Sequence, residues 1–143
     1  MLDFEEKALC RKVAGILELS AIRGYDPIRF LHLWMESKTA NNLYNWDFND
    51  IAQSKHYLLR SVEIEYDISS DKEENDQYII DAMYWCGYTL MYLSLESKIT
   101  PLEVFKTYDV DRILCAYDTL HTVSSGVAVD MIRTDFKLKN ITA

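Results

Sequence analysis

The feature that most constrains this sequence is its long apolar stretch from Asp76 to Ser97. Apolar side chains recur at helical spacing around nearly its whole circumference, which is typical of a helix with neighbours on most sides. Asp81 interrupts the stretch, and the run from Ala82 to Leu95 is shorter than the roughly 18 residues that a membrane span needs. We therefore predict a buried central helix. One stripe of this helix would hold Ile79, Met83, Cys86, Leu90 and Leu93. The adjoining stripe would hold Ile80, Tyr84, Gly87 (or Tyr88) and Met91.

Two details of this stretch carry further predictions. Gly87 weakens a helix by about 1 kcal/mol relative to Ala, so we expect another backbone to approach closely there. Tyr84, Tyr88 and Tyr92 are spaced four apart and would form a ridge. Their hydroxyls need solvent, an acceptor in the core or a partner.

The scarcity of turn residues predicts helices throughout. The chain has 143 residues, about the size of one domain, with only four glycines and two prolines. We predict a single all-α domain of six to eight helices. A polar loop at residues 69–75 would divide it into an N-terminal half, 1–68, and a C-terminal half, 76–137.

Helix starts are marked by capping residues and by proline at the first helical position. Residues 54–68 are ambiguous between a helix and an edge strand, and the helix is favoured. We interpret residues 45–54 as a loop with one short helix, pinned by Trp46 and Phe48. The last helix would turn Val127, Met131 and Ile132 inward, and the tail from Leu138 would fray. The predicted caps are Asp3 with Glu6, Asp26 before Pro27, Ser37 or Thr39, Ser54, Thr100 with Glu103, Asp109 or Asp111, and Ser124.

The net charge of −8 restricts the class of partner. An acidic surface repels nucleic acid and anionic membranes, whereas it suits a basic groove on another protein. Cys10, Cys86 and Cys115 share no repeated spacing and lie in apolar contexts, so we expect reduced core thiols. The first residues lack the pattern of a signal peptide, which predicts a cytoplasmic protein.

The sequence shows little sign of catalytic or metal chemistry. His32, His56 and His121 are far apart, and no pair of residues has the spacing of metal ligands. No glycine-rich phosphate loop is present. Carboxylate pairs are common in any acidic chain and carry little information. We therefore expect a protein that is not an enzyme and uses no cofactor or metal.

One polar and aromatic cluster stands out at residues 116–122, Ala-Tyr-Asp-Thr-Leu-His-Thr. It has two interpretations. It is either a junction, in which Asp118, Thr119 or Thr122 cap helix ends and His121 packs on the core, or a surface that docks a partner.

Three motifs in residues 78–133 resemble a family of small bacterial helical proteins. They are Thr-Pro-Leu-Glu-Val-Phe at 100–105, Tyr-Asp-Thr-Leu-His-Thr-Val-Ser at 117–124 and Val-Asp-Met-Ile at 129–132. Members of that family are often encoded beside toxins that resemble ADP-ribosyltransferases, and they are taken to be the antitoxins. The resemblance implies neutralisation of a cognate toxin by direct contact.

We therefore hypothesise a non-catalytic, acidic protein-binding module, with homo-oligomerisation also open. A helix-turn-helix regulator is an alternative, but residues 100–137 carry six acids against four bases, which opposes phosphate contacts. A small hydrolase using Asp118 and His121 is a remote option. The expected partner-binding residues are Tyr117, Asp118, His121, Thr122, Trp34, Trp46 and Phe48, because aromatic residues dominate interface hot spots.

Overall fold

The computed structural model describes residues 1–139, which form ten helices and one isolated β-bridge between Tyr108 and Lys137. The all-α class is confirmed. The number of helices exceeds six to eight because several segments are only one or two turns long. The helices are α1 (Phe4–Ile22), α2 (Pro27–Glu36), α3 (Lys38–Tyr44), α4 (Phe48–Ile51), α5 (Lys55–Tyr66), α6 (Gln77–Ser97), α7 (Pro101–Thr107), α8 (Val110–Cys115), α9 (Tyr117–Leu120) and α10 (Ser125–Asp135).

The helix starts follow the capping residues. Asp3 and Thr100 each form a complete capping box with the Glu three residues later. Ser37, rather than Thr39, caps α3, and its hydroxyl accepts a hydrogen bond from the Ala40 N–H at 3.0 Å. The caps at Asp26, Ser54, Asp76, Asp109 and Ser124 are also present. Residues 55–66 are helical, which settles the ambiguity between helix and strand.

The central helix α6 packs along α1, and this is the most extensive helix pair in the described residues. A Cβ added at Gly87 would lie 3.1 Å from the Ala14 Cα and 3.2 Å from the Val13 carbonyl oxygen. The predicted close backbone approach is therefore confirmed. Met83, Cys86, Leu90 and Leu93 are buried, while Ile79 is half-buried, so the predicted stripe faces the core over most of its length.

The hydrophobic core is continuous and draws on both halves of the chain. Alongside the α1–α6 pair, α2 packs against α7 and α10 packs against α6. Three sequence-based expectations are wrong here. Ile132 is buried as predicted, but Val127 and Met131 are exposed, because α10 turns Ala128 and Val129 inward instead. Cys115 is also exposed, whereas Cys10 and Cys86 are buried free thiols.

The chain after α10 pairs with residues 107–109, where α7 ends and α8 begins. The Leu138 N–H donates to the Thr107 carbonyl at 2.9 Å. The prediction that the tail frays from Leu138 is therefore wrong at this residue. The rest of the predicted fraying tail, residues 140–143, lies outside the described residues. In the part of the chain from 1 to 139, no helix is both long enough and apolar enough to cross a membrane.

The polar segment 69–75 is mostly exposed, but its end is fixed to the turn after α1. The Asn75 side chain donates to the carbonyls of Ala21 and Tyr25 at 3.0 and 2.9 Å. Gly24 adopts φ +82°, and a Cβ there would lie 2.5 Å from the Glu73 carbonyl oxygen. Glycine is needed at this position for both its left-handed backbone and its lack of a side chain.

We expect Gly24→Ala to lower the free energy of unfolding by about 2–3 kcal/mol, because the left-handed strain adds to a clash with backbone atoms. Gly126→Ala is the matched control. A Cβ at Gly126 meets nothing closer than the Tyr92 hydroxyl at 3.5 Å, so the better helix former should leave stability equal or higher. Urea denaturation of both variants measures the difference. Equal effects at the two glycines would contradict this account of the turn.

Candidate functional site

The predicted cluster at residues 116–122 forms α9 and its C-terminal turn. Leu120 is buried and fixes this one-turn helix to the core, while Tyr117 is half-buried. Asp118, His121 and Thr122 are exposed. The short helix therefore presents one aromatic ring and several polar groups at the surface, beside the N-terminal half of α6.

Tyr117 lies at the centre of a group of aromatic rings. Its ring stacks on His121, with centroids 4.3 Å apart and planes 21° apart. It meets Tyr78 edge to face at 5.6 Å and Trp85 edge to face at 5.9 Å, both from α6. Such aromatic pairs contribute about 0.5–1.5 kcal/mol each beyond the area they bury. Tyr117 thus holds α9 against α6, which is a structural role in addition to any contact with a partner.

The polar groups of the cluster bond within the protein. The Tyr78 hydroxyl donates to Asp118 Oδ1 at 2.8 Å. This hydrogen bond to the carboxylate raises the pKa of Tyr78 above its usual value, because it favours the protonated hydroxyl. His121 Nδ1 lies 2.5 Å from the Tyr117 carbonyl oxygen, and the Thr122 hydroxyl donates to the Thr119 carbonyl at 2.8 Å.

These bonds bear on the hydrolase alternative. A catalytic pair would need Asp118 to orient the His121 ring through a hydrogen bond. Asp118 instead accepts from Tyr78, while His121 Nδ1 faces a backbone carbonyl. The arrangement therefore gives no support to an acid–imidazole pair. Residues 1–139 also contain no group of three or more His, Cys, Asp or Glu side chains that could hold a metal ion.

The two segments that build the surface around α9 are acidic. Residues 73–97 contain five acids and residues 113–132 contain two, and neither segment contains a lysine or an arginine. These two segments thus carry most of the net charge of −8. Asp81 lies one helical turn from both Tyr78 and Trp85, on the same side of α6. We call this surface the α6–α9 face, and it consists of Tyr78, Asp81, Trp85, Tyr117, Asp118 and His121.

Half of the α6–α9 face lies on α6 and is not among the predicted partner-binding residues. Tyr78, Asp81 and Trp85 were assigned only to the central helix, although their spacing of three and four residues places them on one side of it. That spacing was the available signal. Tyr78 is 50% exposed in spite of its place in an apolar helix.

Trp34 does not belong to any binding surface. Its side chain is only 2% exposed and is among the largest fully buried side chains of the core. The expectation that it contacts a partner is wrong, because α2 buries Phe30, Leu31, Trp34 and Met35 together.

Trp46 and Phe48 lie at the surface, 41% and 84% exposed, and do not pin their loop as predicted. The loop is held by polar contacts instead. Lys12 Nζ donates to the carbonyls of Ile51 and Gln53 at 2.5 and 2.8 Å, and the Asn42 side chain donates to Asp50. These two aromatic side chains are therefore accessible to a partner, separately from the α6–α9 face.

The two arginines of the supposed DNA-binding helices are already engaged. Arg112 donates to the Asp135 carbonyl at 2.7 Å and lies over the Phe136 ring. Arg133 forms ion pairs with Glu96 and Asp130, both at 3.0 Å. Although burial opposes ionisation of Glu96, the Arg133 guanidinium and the N-terminal ammonium group together outweigh it and hold the pKa of Glu96 below its usual value. Few cations remain on α8–α10 for contacts with phosphates.

A cleft of about 370 Å³ lies away from the α6–α9 face, between the start of α2 and residues 67–72. Charges of both signs line it, including Arg29, Lys72, Asp67 and Asp71. A mixed lining of this kind selects no particular charged ligand. The α6–α9 face and the exposed Trp46 and Phe48 are therefore the better candidates for a site.

Comparisons with protein-family models, with curated proteins and with solved structures give no match to this chain. Its function must therefore be argued from the surface described above.

Proposed function

We propose that this protein is a non-catalytic binding module that docks a basic protein partner on the α6–α9 face. The observation that carries the proposal is a group of aromatic rings, exposed at Tyr78 and His121 and half-buried at Trp85 and Tyr117, on two segments that contain no lysine or arginine. Exposed aromatic residues supply most of the energy in protein interfaces, and uniform charge steers the encounter with a partner of opposite sign.

The partner is proposed to be a toxin that the module inhibits in the cytoplasm. The motifs at 100–105, 117–124 and 129–132 support this, because they resemble those of proteins encoded beside toxins like ADP-ribosyltransferases. One of the three motifs builds part of the face. Tyr117, Asp118 and His121 belong to the second motif, and the third lies on α10, which packs against α6.

Co-expression with the product of the adjacent gene tests the proposal. We expect the two proteins to co-elute from gel filtration at low salt, and the complex to weaken as salt rises, because charge steering is screened over about 10 Å at 0.1 M. The partner expressed alone should arrest growth. A harmless neighbour that elutes separately from this protein would contradict the proposal.

A further inference from the structure

Resting on this proposed function, we propose that the α6–α9 face recognises an arginine side chain of its partner in preference to lysine. The face places the exposed Tyr78 ring beside the Asp118 carboxylate, with Asp81 one helical turn away on α6. A guanidinium group is planar and can stack on a ring while it donates to a carboxylate, whereas an ammonium group is compact and strongly hydrated.

The carboxylates have capacity left for such a donor. Asp118 Oδ1 accepts from the Tyr78 hydroxyl, and Asp81 Oδ1 accepts from the Gln77 side chain at 2.8 Å. Within residues 1–139, the second oxygen of each carboxylate has no hydrogen-bond partner. The Tyr78 hydroxyl also orients Asp118 toward the ring. A guanidinium could therefore bond Asp118 while it contacts the exposed part of Tyr78.

Elsewhere in the chain, two aromatic rings each form a cation–π contact with an arginine of the same chain. Arg11 lies over Phe4 at 5.9 Å, and Arg112 lies over Phe136 at 4.3 Å. The rings of the α6–α9 face have no such neighbour in the described part of the chain. The sequence explains this, since the two segments that build the face contain no arginine or lysine. An arginine contact with these rings would therefore have to come from a partner.

The test compares two capped octapeptides in which four charged residues alternate with glycines. The charged residues are arginines in one peptide and lysines in the other. Each is titrated by calorimetry into the full-length protein at low salt. We expect the arginine peptide to bind about fivefold more tightly, the scale of one partly exposed cation–π contact. Tyr78→Leu should abolish the preference, while Tyr78→Phe, which keeps the ring but loses the hydroxyl that orients Asp118, should retain part of it.

Tyr57→Leu is the matched control, because Tyr57 is 53% exposed on α5, close to the 50% of Tyr78. It should leave the preference unchanged. Equal affinities for the two peptides, no binding of either, or a preference that survives Tyr78→Leu would each overturn the arginine proposal. None of these results would contradict the proposed function, because co-elution with the adjacent gene product tests that proposal separately.

Discussion

Replacing Trp34 with alanine is expected to lower the free energy of unfolding by about 3–5 kcal/mol, the range for a large aromatic residue removed from a core. Trp34 is 2% exposed and packs beside Phe30 and Met35 on the inner side of α2. Alanine would leave a cavity that the neighbouring helices fill only in part. Since small domains have only about 5–15 kcal/mol of stability, this change should bring the protein close to unfolding at 37 °C.

Urea denaturation of the free protein, followed by circular dichroism, measures this effect. Trp46→Ala is the control, because Trp46 is 41% exposed and the loop around it is held by Lys12. It should change stability by less than about 1 kcal/mol, as is usual for surface substitutions. If the two tryptophan variants were equally stable, the burial of Trp34 would not describe the protein in solution.

The helix boundaries could be predicted because they depend on local chemistry. A capping side chain bonds the backbone three residues away, so Asp3, Ser54 and Thr100 reveal helix starts whatever lies around them. Gly87 was also informative. A glycine in the middle of an apolar helix has few explanations other than the close approach of another backbone, here that of α1.

The exposure of individual aromatic residues could not be predicted in the same way, because it depends on distant contacts. Phe48 lies in an aromatic-rich loop that would fold inward if its rings were its only means of attachment. Lys12, 39 residues before Ile51, instead holds that loop by its carbonyls and leaves Phe48 exposed. Nothing local in residues 45–54 indicates this contact.

The α6–α9 face shows the same limit. The half on α9 can be predicted, because its acid, imidazole and aromatic residues adjoin in the chain. The other half, on α6, lies 40 residues earlier and is joined to it by the bond between Tyr78 and Asp118. Helical spacing could have grouped Tyr78 with Trp85, but only the packing of α9 on α6 brings Tyr117 between them.

Reversing two charges on this face is expected to lower affinity for a basic partner at least about 100-fold, which corresponds to roughly 2.7 kcal/mol at 25 °C. The variant is Asp81→Lys with Asp118→Lys. Both side chains are exposed, so the free energy of unfolding should change by less than about 1 kcal/mol. The reversal places cations where the partner's cations would dock and removes the carboxylate that Tyr78 orients.

Glu36→Lys with Asp71→Lys separates a local effect from one of total charge, since it changes the net charge equally at two exposed positions outside the face. Binding of the adjacent gene product is measured for both double variants over a range of salt concentrations. We expect the control to lose less than about tenfold, mainly in association rate, because distant charges are screened. Comparable losses in the two variants would mean that the overall charge, rather than the α6–α9 face, attracts the partner, and the exposed Trp46 and Phe48 would then become the better candidates for the contact.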